Sequence, residues 1–376
     1  MDGAVRLPER GRRGRSVPAE DARDIHDADQ NGHVKGGQEV SPVEDFPVDV
    51  VVTWVDGSDE GWAAERARYE RNDSSIADDW AKGAIRFRDW NTLRYWFRGI
   101  EQNMPWVRYV HFVTYGHVPS WLNERNPHLR IVRHEDFIPS RYLPTFNSHT
   151  IELNFHRIPE LAEHFVYFND DVYALRPLAK SDLFKRGLPC DFAALNAPSR
   201  DRYNKLLMEV NNVAVINRHF RKNKVLRDHF FKWFNPKYGA KMLRTLCLLP
   251  WPRFTGFIEQ HTVQTFLKST FETLWEEEYD ELDATCLTKF RAYENVTPWL
   301  VRDWQLVTGS FAPSDLRGRR YFKQAVDADM LAQVFGGQYS IVCINDVATA
   351  ETFPAERRAL ASAFDGLFPD KSSFER

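Results

Sequence analysis

The sequence predicts an α/β fold with a doubly wound, mostly parallel sheet and a more helical C-terminal insertion. Between residues 48 and 172, short runs rich in Val, Ile and aromatic residues alternate with amphipathic segments. This order is typical of parallel strands joined by helices. Polar clusters follow these strands or open the helices, and such positions share one edge of a parallel sheet. The sequence therefore also predicts a site at that edge.

Composition narrows the class of protein. The chain has 376 residues, of which 43% are apolar, enough for a substantial core. A net charge of −3 gives no indication of nucleic acid as a partner. The four cysteines form no C-x-x-C pair, a spacing that suits a reducing compartment. With no apolar run of about 18 residues and no signal-peptide core, the sequence predicts a cytoplasmic protein.

The first 45 residues predict a disordered tail. They contain no Phe, Trp or Tyr and are rich in Gly, Arg, Asp and Glu. Such a segment cannot bury enough apolar surface to offset the entropy lost on ordering. The predicted folded domain therefore covers residues 46–376.

The first predicted strand spans residues 48–55 and ends in Asp56-Gly57. Its β-branched residues suit a strand covered on both faces, and an amphipathic helix follows from Trp62 to about Arg71. Asp-Gly is ordinary turn chemistry. Between a strand and a helix, it also places a carboxylate and backbone amides where a nucleotide phosphate binds. No G-x-G-x-x-G or P-loop motif lies nearby, which disfavours those two kinds of nucleotide site.

The next polar cluster opens a helix predicted over residues 93–100. Asp89 or Asn91 can cap that helix, which is the ordinary role of such residues. Arginines can bind phosphate through paired hydrogen bonds, and those around this helix start are Arg86, Arg88 and Arg94. After this helix, two further strands are predicted at residues 109–114 and 130–132.

A third polar cluster, Asn147-Ser148-His149, opens a helix that runs through Leu153 and Phe155. Capping is the usual role of such residues, and a histidine at a helix start also suits contact with an anion. The chain then enters the apolar strand 165–168, which ends in Asn169-Asp170-Asp171. A carboxylate pair behind a buried strand suits metal or phosphate ligands. The alternative is an Asn/Asp turn whose side chains bond their own backbone.

Residues 218–253, the basic aromatic segment, have a distinct composition. They hold ten Lys and Arg against one acid, Asp228, with seven aromatic residues interleaved. This composition suits contact with an anionic partner, including the phospholipid headgroups of the inner membrane face. The alternative is a solvated helical face with its aromatic residues in the core.

We predict that the rest of the chain forms helices and one strand. Two isolated residues in it, His261 and Arg291, are candidate site residues. We predict a helix containing Phe266, Leu267 and Phe271, and a second helix over Leu274–Leu282. A strand over residues 339–344 ends in Asn345-Asp346 and repeats the pattern of residues 165–171. A last helix is predicted over residues 354–368.

Four blocks carry a resemblance to a known family. They are D-V-V-V-T-W-V-D-G from Asp49, R-F-R-D-W-N-T-L-R-Y through L-P-T-F-N-S-H to F-N-D-D-V, F-T-G-F-I-E-Q-H through K-F-R, and C-I-N-D from Cys343. Together they resemble the Stealth proteins, which include bacterial capsular polysaccharide phosphotransferases and the alpha/beta subunit of N-acetylglucosamine-1-phosphotransferase. The resemblance covers nearly everything from residue 48 to 350. Val347 departs from the family, which often has Asp or Asn at that position, and the large animal insertions are absent.

The resemblance implies transfer of a hexose-1-phosphate, such as N-acetylglucosamine-1-phosphate, from a UDP-sugar to a hydroxyl of a glycan acceptor, with release of UMP. It implies that Asp170, Asp171, His261 and Arg291 are catalytic and that the two aspartates hold Mg²⁺ or Mn²⁺. His261 or the second aspartate takes the proton of the acceptor. The substrate-binding residues that we predict are Trp54, Val55, Asp56, Gly57, Arg86, Asp89, Asn91, Arg94, Asn147, Ser148, His149 and Asn169.

Two alternatives stay open at the level of sequence. A metal-dependent glycosyltransferase uses the same donor but breaks the bond at the sugar carbon and releases UDP. A non-catalytic protein that binds polysaccharide or membrane through the basic aromatic segment releases no nucleotide. The identity of the released nucleotide separates all three.

Overall fold

The central sheet has five strands, of which four are parallel. The protein is described by a computed structural model over residues 46–72, 87–198 and 205–376, so the predicted tail and Arg86 lie outside the described residues. The strands are β1 (Val48–Trp54), β2 (Val110–Thr114), β3 (Leu129–Arg133), β4 (His164–Asn169), β5 (Val172–Ala174), β6 (Phe184–Lys185), β7 (Leu188–Asp191), β8 (Gln264–Leu267), β9 (Ala312–Pro313), β10 (Arg319–Phe322) and β11 (Ile341–Ile344). In the central sheet their order is β3-β2-β1-β4-β8, with β8 antiparallel to β4.

Both faces of this sheet are buried, which explains the nearly continuous apolar runs. Val50 and Val52 of β1 pack into one hydrophobic core and Val51 packs into the other. Successive side chains of a strand point to opposite faces, so a strand covered on both sides must be apolar at consecutive positions. Each of these valines is fully buried, and its burial contributes about 1.5–3 kcal/mol.

The direction of chain winding reverses between β1 and β4. From β1 the chain moves outward to β2 and β3, then returns to place β4 on the other side of β1. In open α/β sheets, ligands bind beyond the carboxyl ends of the strands at such a reversal. Here those ends carry Asp56 and Asp170-Asp171. The predicted α/β fold with a mostly parallel sheet is therefore confirmed.

Two small sheets flank the central one. β11 pairs in parallel with β10 and antiparallel with β5, so Cys343 lies opposite Val172. The backbone N–H of Ile344 also donates to the carbonyl of Asp171 over 2.9 Å. This pairing brings the C-terminal strand beside the end of β4. The other small sheet has the order β6-β7-β9.

Helices cover the sheets and dominate the C-terminal half, as predicted. Two expectations there were wrong. Gln264–Leu267 is an edge strand rather than part of a helix, because its backbone pairs with β4, and the region 274–282 spans two helices that meet at Glu278. Among the described helices, none is long and apolar enough to cross a bilayer. They span Glu60–Asn72, Leu93–Asn103, His134–Phe137, Ser148–Leu153, Lys180–Leu183, Lys205–His219, Lys222–Asp228, Phe230–Trp233, Lys241–Cys247, Lys268–Glu277, Tyr279–Leu287, Trp299–Thr308, Ala328–Phe335 and Phe353–Leu367.

Candidate functional site

Asp170 and Asp171 lie in the two-residue turn between β4 and β5. Asp170 is accessible to solvent and Asp171 is half-buried, yet the surrounding protein desolvates both. Burial and the neighbouring charges of Asp171 and Asp89 raise the pKa of Asp170 to about 7. Burial raises the pKa of Asp171 to about 6, against the hydrogen bond from Cys343 and with the charge of Asp346 adding to the rise. Carboxylates that are accessible but desolvated are typical of a cleft that receives a ligand.

Two other loops bring one more carboxylate each, Asp56 and Asp89, to the same edge. Asp89 accepts the N–H of Asn91 over 2.6 Å, and desolvation followed by the charge of Asp56 raises its pKa. Asp56 accepts from the backbone and hydroxyl of Ser58, as in an ordinary Asx turn. Gly57 permits this arrangement, since a Cβ there would lie 2.0 Å from the carbonyl oxygen of Phe87. Asp56 and Asp89 thus converge with the Asp170-Asp171 turn.

The C-terminal strand supplies the other wall of the site. Single ligand atoms of Asp171, His261 and Cys343 all lie within 4.8 Å of one another. The thiol of Cys343 donates to Asp171 Oδ2 over 3.4 Å. Just beyond β11, Asp346 forms a bidentate ion pair with Arg88, whose Nε lies 2.8 Å from Asp346 Oδ2. We name this set the carboxylate cluster, and it comprises Asp56, Asp89, Asp170, Asp171, His261, Cys343 and Asp346.

A second group, which we name the arginine cluster, comprises Arg291, Ser148 and Glu152. Ser148 and Glu152 belong to the helix Ser148–Leu153, and Arg291 lies in the loop after the helix Tyr279–Leu287. Arg291 donates to the hydroxyl of Ser148. Burial raises the pKa of Glu152 to about 7, while the charge of Arg291 and the hydrogen bond from Tyr167 act in the opposite direction. Burial lowers the pKa of the Arg291 guanidinium, and the charge of Glu152 opposes that decrease. The arrangement places a guanidinium, a group suited to bind an anionic ligand, beside the hydroxyl of Ser148.

Tyr167 connects the two clusters. Its hydroxyl lies 3.1 Å from Glu152 Oε1 and 2.6 Å from Asn169 Oδ1, and Asn169 directly precedes the aspartates. Burial first, and the charges of Glu152 and Asp170 in addition, raise the pKa of Tyr167 well above its ordinary value. The phenol therefore stays protonated and serves as a donor between the clusters.

Asn147 has a structural role in this arrangement. Asn147 caps the helix Ser148–Leu153 by accepting the N–H of His149 over 3.1 Å. Its amide donates to Thr288 and Asn295 over 2.9 and 3.0 Å. These bonds fasten the helix to the loop that carries Arg291, so Asn147 positions the arginine cluster. His149 is buried beneath the same helix start.

Four other predicted binding residues lie in different surroundings. Trp54 stacks on Phe112 and belongs to the core. Val55 packs against a small apolar group with Trp62, Phe146 and Phe290. The guanidinium of Arg94 lies 5.7 Å from the ring centre of Trp121, and Asn91 adopts a positive φ of 57° in the turn before its helix. Arg86 lies outside the described residues.

Sequence reasoning did not single out Glu152 or Asp346 as site residues. Glu152 follows the third polar cluster as part of an ordinary helix pattern, and only the interaction of its charge with that of Arg291 gives it significance. Asp346 had a weak signal, because its strand repeats the pattern of β4. The ion pair with Arg88, 258 positions earlier, had none.

The residues present fit a hard divalent cation held by oxygen. Asp171 Oδ1 is buried and has no hydrogen-bond partner in the described part of the chain, so it retains an unused ligand position. Cys343 is a poor candidate, because burial and the charge of Asp171 raise the pKa of its thiol well above the ordinary value. Mg²⁺ favours one or two carboxylates completed by phosphate oxygens. Asp170 and Asp171 offer that ligand set.

Two stretches of the chain that contain Asp56, Asp89, Asp170 and Asp171 match models of a known protein family. Residues 46–74 match the model of Stealth protein conserved region 1, and residues 86–190 match that of conserved region 2. A capsular polysaccharide phosphotransferase, WcwK of Streptococcus pneumoniae, is 38% identical over 331 residues, which cover 88% of this chain and 98% of the relative. An exopolysaccharide phosphotransferase, cps2G of Lactiplantibacillus plantarum, is 40% identical over 341 residues, covering 88% and 97%.

Likeness to solved structures is weak. The galactosyltransferase LgtC, in complex with donor and acceptor sugar analogs, matches 86% of this chain and 98% of its own length. Its sequence identity to this chain is 10% and its TM-score is 0.37. Nothing about the site follows from a likeness at this level.

Proposed function

Because the chain belongs to the Stealth family, we propose that it transfers a hexose-1-phosphate from a UDP-sugar to a hydroxyl of a glycan acceptor and releases UMP. The observation that carries this proposal is the similarity to named polysaccharide phosphotransferases over nearly their whole length. The carboxylate and arginine clusters support it, since they provide an acidic cleft beside a fixed guanidinium. Synthesis of a capsular or other extracellular polysaccharide is the corresponding process.

In this reaction the acceptor oxygen forms a bond to the β-phosphorus. The bond between that phosphorus and the oxygen bridging to the α-phosphorus breaks, and UMP leaves with the electron pair. Such a transfer needs alignment and charge neutralisation rather than a covalent intermediate. A guanidinium is suited to the second task, and we assign it to Arg291, which donates to the hydroxyl of Ser148 and interacts with the charge of Glu152.

Asp170 and Asp171 would hold Mg²⁺ or Mn²⁺, which when bound neutralises negative charge on pyrophosphate oxygens. With both carboxylates used as ligands, we assign the proton of the acceptor hydroxyl to His261. This histidine lies beside Asp171, and an imidazole is suited to accept a proton near neutral pH. Asp89 and Asp56, at the same edge, suit contact with the hydroxyl groups of the donor.

The test is to incubate the protein with a panel of UDP-hexoses, Mg²⁺ and a capsule-type glycan, and to identify the nucleotide released. UMP supports the proposal, whereas UDP replaces it with a glycosyltransferase that breaks the bond at the sugar carbon. Chelation of the metal should stop turnover and Mg²⁺ should restore it. His261→Ala and Arg291→Ala should abolish release of UMP, while His128→Ala and Arg125→Ala, both on the exposed surface, should not.

A further inference from the structure

The basic aromatic segment ends in an exposed apolar tip, residues 241–253. Within the helix Lys241–Cys247 and the turn after it, Leu243, Leu246, Leu249 and Trp251 are 61%, 43%, 37% and 52% exposed. Four large apolar side chains exposed within nine positions exceed the scattered exposure that is usual on a protein surface. Phe230 and Phe231, on the preceding helix Phe230–Trp233, are 50% and 83% exposed.

The structure beneath the tip holds these side chains outward. Lys222 is fully buried, and its Nζ donates to the carbonyls of Leu248 and Leu249 over 2.8 and 2.9 Å. The hydroxyl of Thr245, also buried, accepts the N–H of Leu195 over 3.0 Å. A buried ammonium requires such acceptors, so the turn is fastened to the interior at two points. Exposure of the tip is therefore a property of the folded state.

Only part of the segment's positive charge belongs to this surface. Lys222 serves the interior, and Lys232 donates to the carbonyls of Gly309 and Phe311 over 2.6 and 2.9 Å. These two lysines therefore do not contribute their charge to the exposed surface. Arg218 pairs with Glu278 and Glu281, and Lys224 and Arg227 pair with Asp228. The exposed basic residues of the segment are Arg218, Arg221, Lys224, Arg227, Lys237, Arg244 and Arg253.

We propose that the apolar tip and these basic residues dock on the surface of a bilayer that contains anionic phospholipid. Leucine, tryptophan and phenylalanine side chains partition into the headgroup–acyl boundary, and flanking Lys and Arg are attracted by anionic headgroups. The segment carries a single acid, Asp228, in a chain whose net charge is −3, so positive charge is concentrated in this segment. The chemistry required of the partner is thus an apolar layer beneath a negative surface.

A second copy of this chain fits the surface less well. An interface with two-fold symmetry would place the same patch against itself, and the arginines around each tip would then face one another. Like charges opposed across an interface are unfavourable. The inference does not depend on the proposed reaction, because it concerns a surface that contains none of the residues assigned to catalysis.

The experiment is flotation of the full chain with vesicles of pure phosphatidylcholine and with vesicles containing 30% phosphatidylglycerol, at low and high salt. We expect flotation with the anionic vesicles, weakened by salt because exposed charges are screened. Leu246→Ser with Trp251→Ser, and separately Arg244→Glu with Arg253→Glu, should each lower the bound fraction by about tenfold or more. Matched controls are Leu287→Ser and Arg125→Glu with Arg317→Glu, which change exposed residues elsewhere.

Three outcomes would overturn the proposal. They are no flotation with either vesicle, equal flotation with neutral and anionic vesicles, and equal loss in the tip variants and the controls. Light scattering on the same proteins without vesicles detects a dimer, and a dimer dissociated by the tip variants would assign the surface to a second copy. Turnover with water-soluble acceptor should stay unchanged in all variants, so that failure of docking is distinguishable from failure of the proposed reaction.

Discussion

The two ends of the β1–β4 strand pair contain aspartates in opposite states. Asp49, at the start of β1, is fully buried and accepts hydrogen bonds from both Nε and Nη2 of Arg108 and from the N–H of Ala162. Burial alone would raise its pKa, but the bonds from Arg108 and His111 outweigh burial and lower it. At the other end of the pair, the pKa of Asp170 is raised to about 7. The two pKa values shift in opposite directions because the fold supplies hydrogen-bond donors to Asp49, not because of how deeply each side chain is buried.

A carboxylate with a full set of donors contributes to stability, whereas one without them retains the capacity to bind a ligand. Asp49 has three kinds of donor around it, and Asp171 retains a buried oxygen with no partner in the described residues. Charged groups buried without partners are costly. The fold sustains that cost at the edge where the winding of the sheet reverses. We therefore expect the two ends to respond oppositely to the same substitution.

The largest effect should come from Asp171→Asn. This change keeps the shape of the side chain but removes a ligand charge, so we expect kcat to fall by about 10³-fold with the free energy of unfolding unchanged or slightly increased. Release of UMP and thermal unfolding measured on one preparation test both parts. Asp280→Asn, on an exposed helix, is the matched control. Near-full turnover in Asp171→Asn would remove this residue from the site.

Asp49→Asn should have the reverse profile. We expect the free energy of unfolding at pH 7 to fall by about 3 kcal/mol, because Arg108 and His111 lose their acceptor, while kcat per folded molecule is retained. Since the folded pKa is lowered, this stabilisation exists above the unfolded pKa of about 3.9 and disappears as pH falls through the folded value. Denaturant unfolding from pH 7 to pH 3 measures it. If the difference in the free energy of unfolding between wild type and variant stays constant with pH, Asp49 does not contribute this stabilisation as a carboxylate.

The smallest effect should come from Asp170→Asn, measured without metal. A raised folded pKa means that the wild type loses stability as pH rises between the unfolded value and about 7. The variant avoids that loss, so we expect it to be more stable by about 1 kcal/mol at pH 8, allowing for solvent screening, and equal to wild type near pH 3. Mg²⁺ should stabilise the wild type and not the variant. A variant less stable at pH 8 would show that Asp170 is satisfied within the protein.

The sequence predicted what depends on neighbours in the chain. The apolar run of β1 and the polar residues directly after β4 are local signals, and the alternation of strands and helices gives the sheet edge that they share. Arg94 shows the limit of such signals, because its proximity in sequence to Asp89 says nothing about Trp121, whose ring centre lies 5.7 Å from the guanidinium. The edge strand β8 was missed because a run of four residues has no period that separates strand from helix.

The site residues that the sequence did not predict interact with partners far away in the chain. The charge of Glu152 interacts with that of an arginine 139 positions later, and Arg88 forms an ion pair with Asp346 across 258 positions. Nothing in the immediate sequence around any of these residues indicates its partner. They become recognisable only when the sheet brings separate loops to one edge, which is a property of topology rather than of propensity.

The position of β11 also has a consequence for the order in which the protein is made. Asp171 obtains two of its contacts, from Cys343 and Ile344, from a strand at residues 341–344, so a ribosome has translated more than 340 codons before the pocket is whole. Until then, the nascent chain has the two aspartates but lacks their C-terminal wall. The same arrangement means that a premature stop codon before residue 341 removes Cys343 and Asp346 from the carboxylate cluster and leaves Asp171 without that wall.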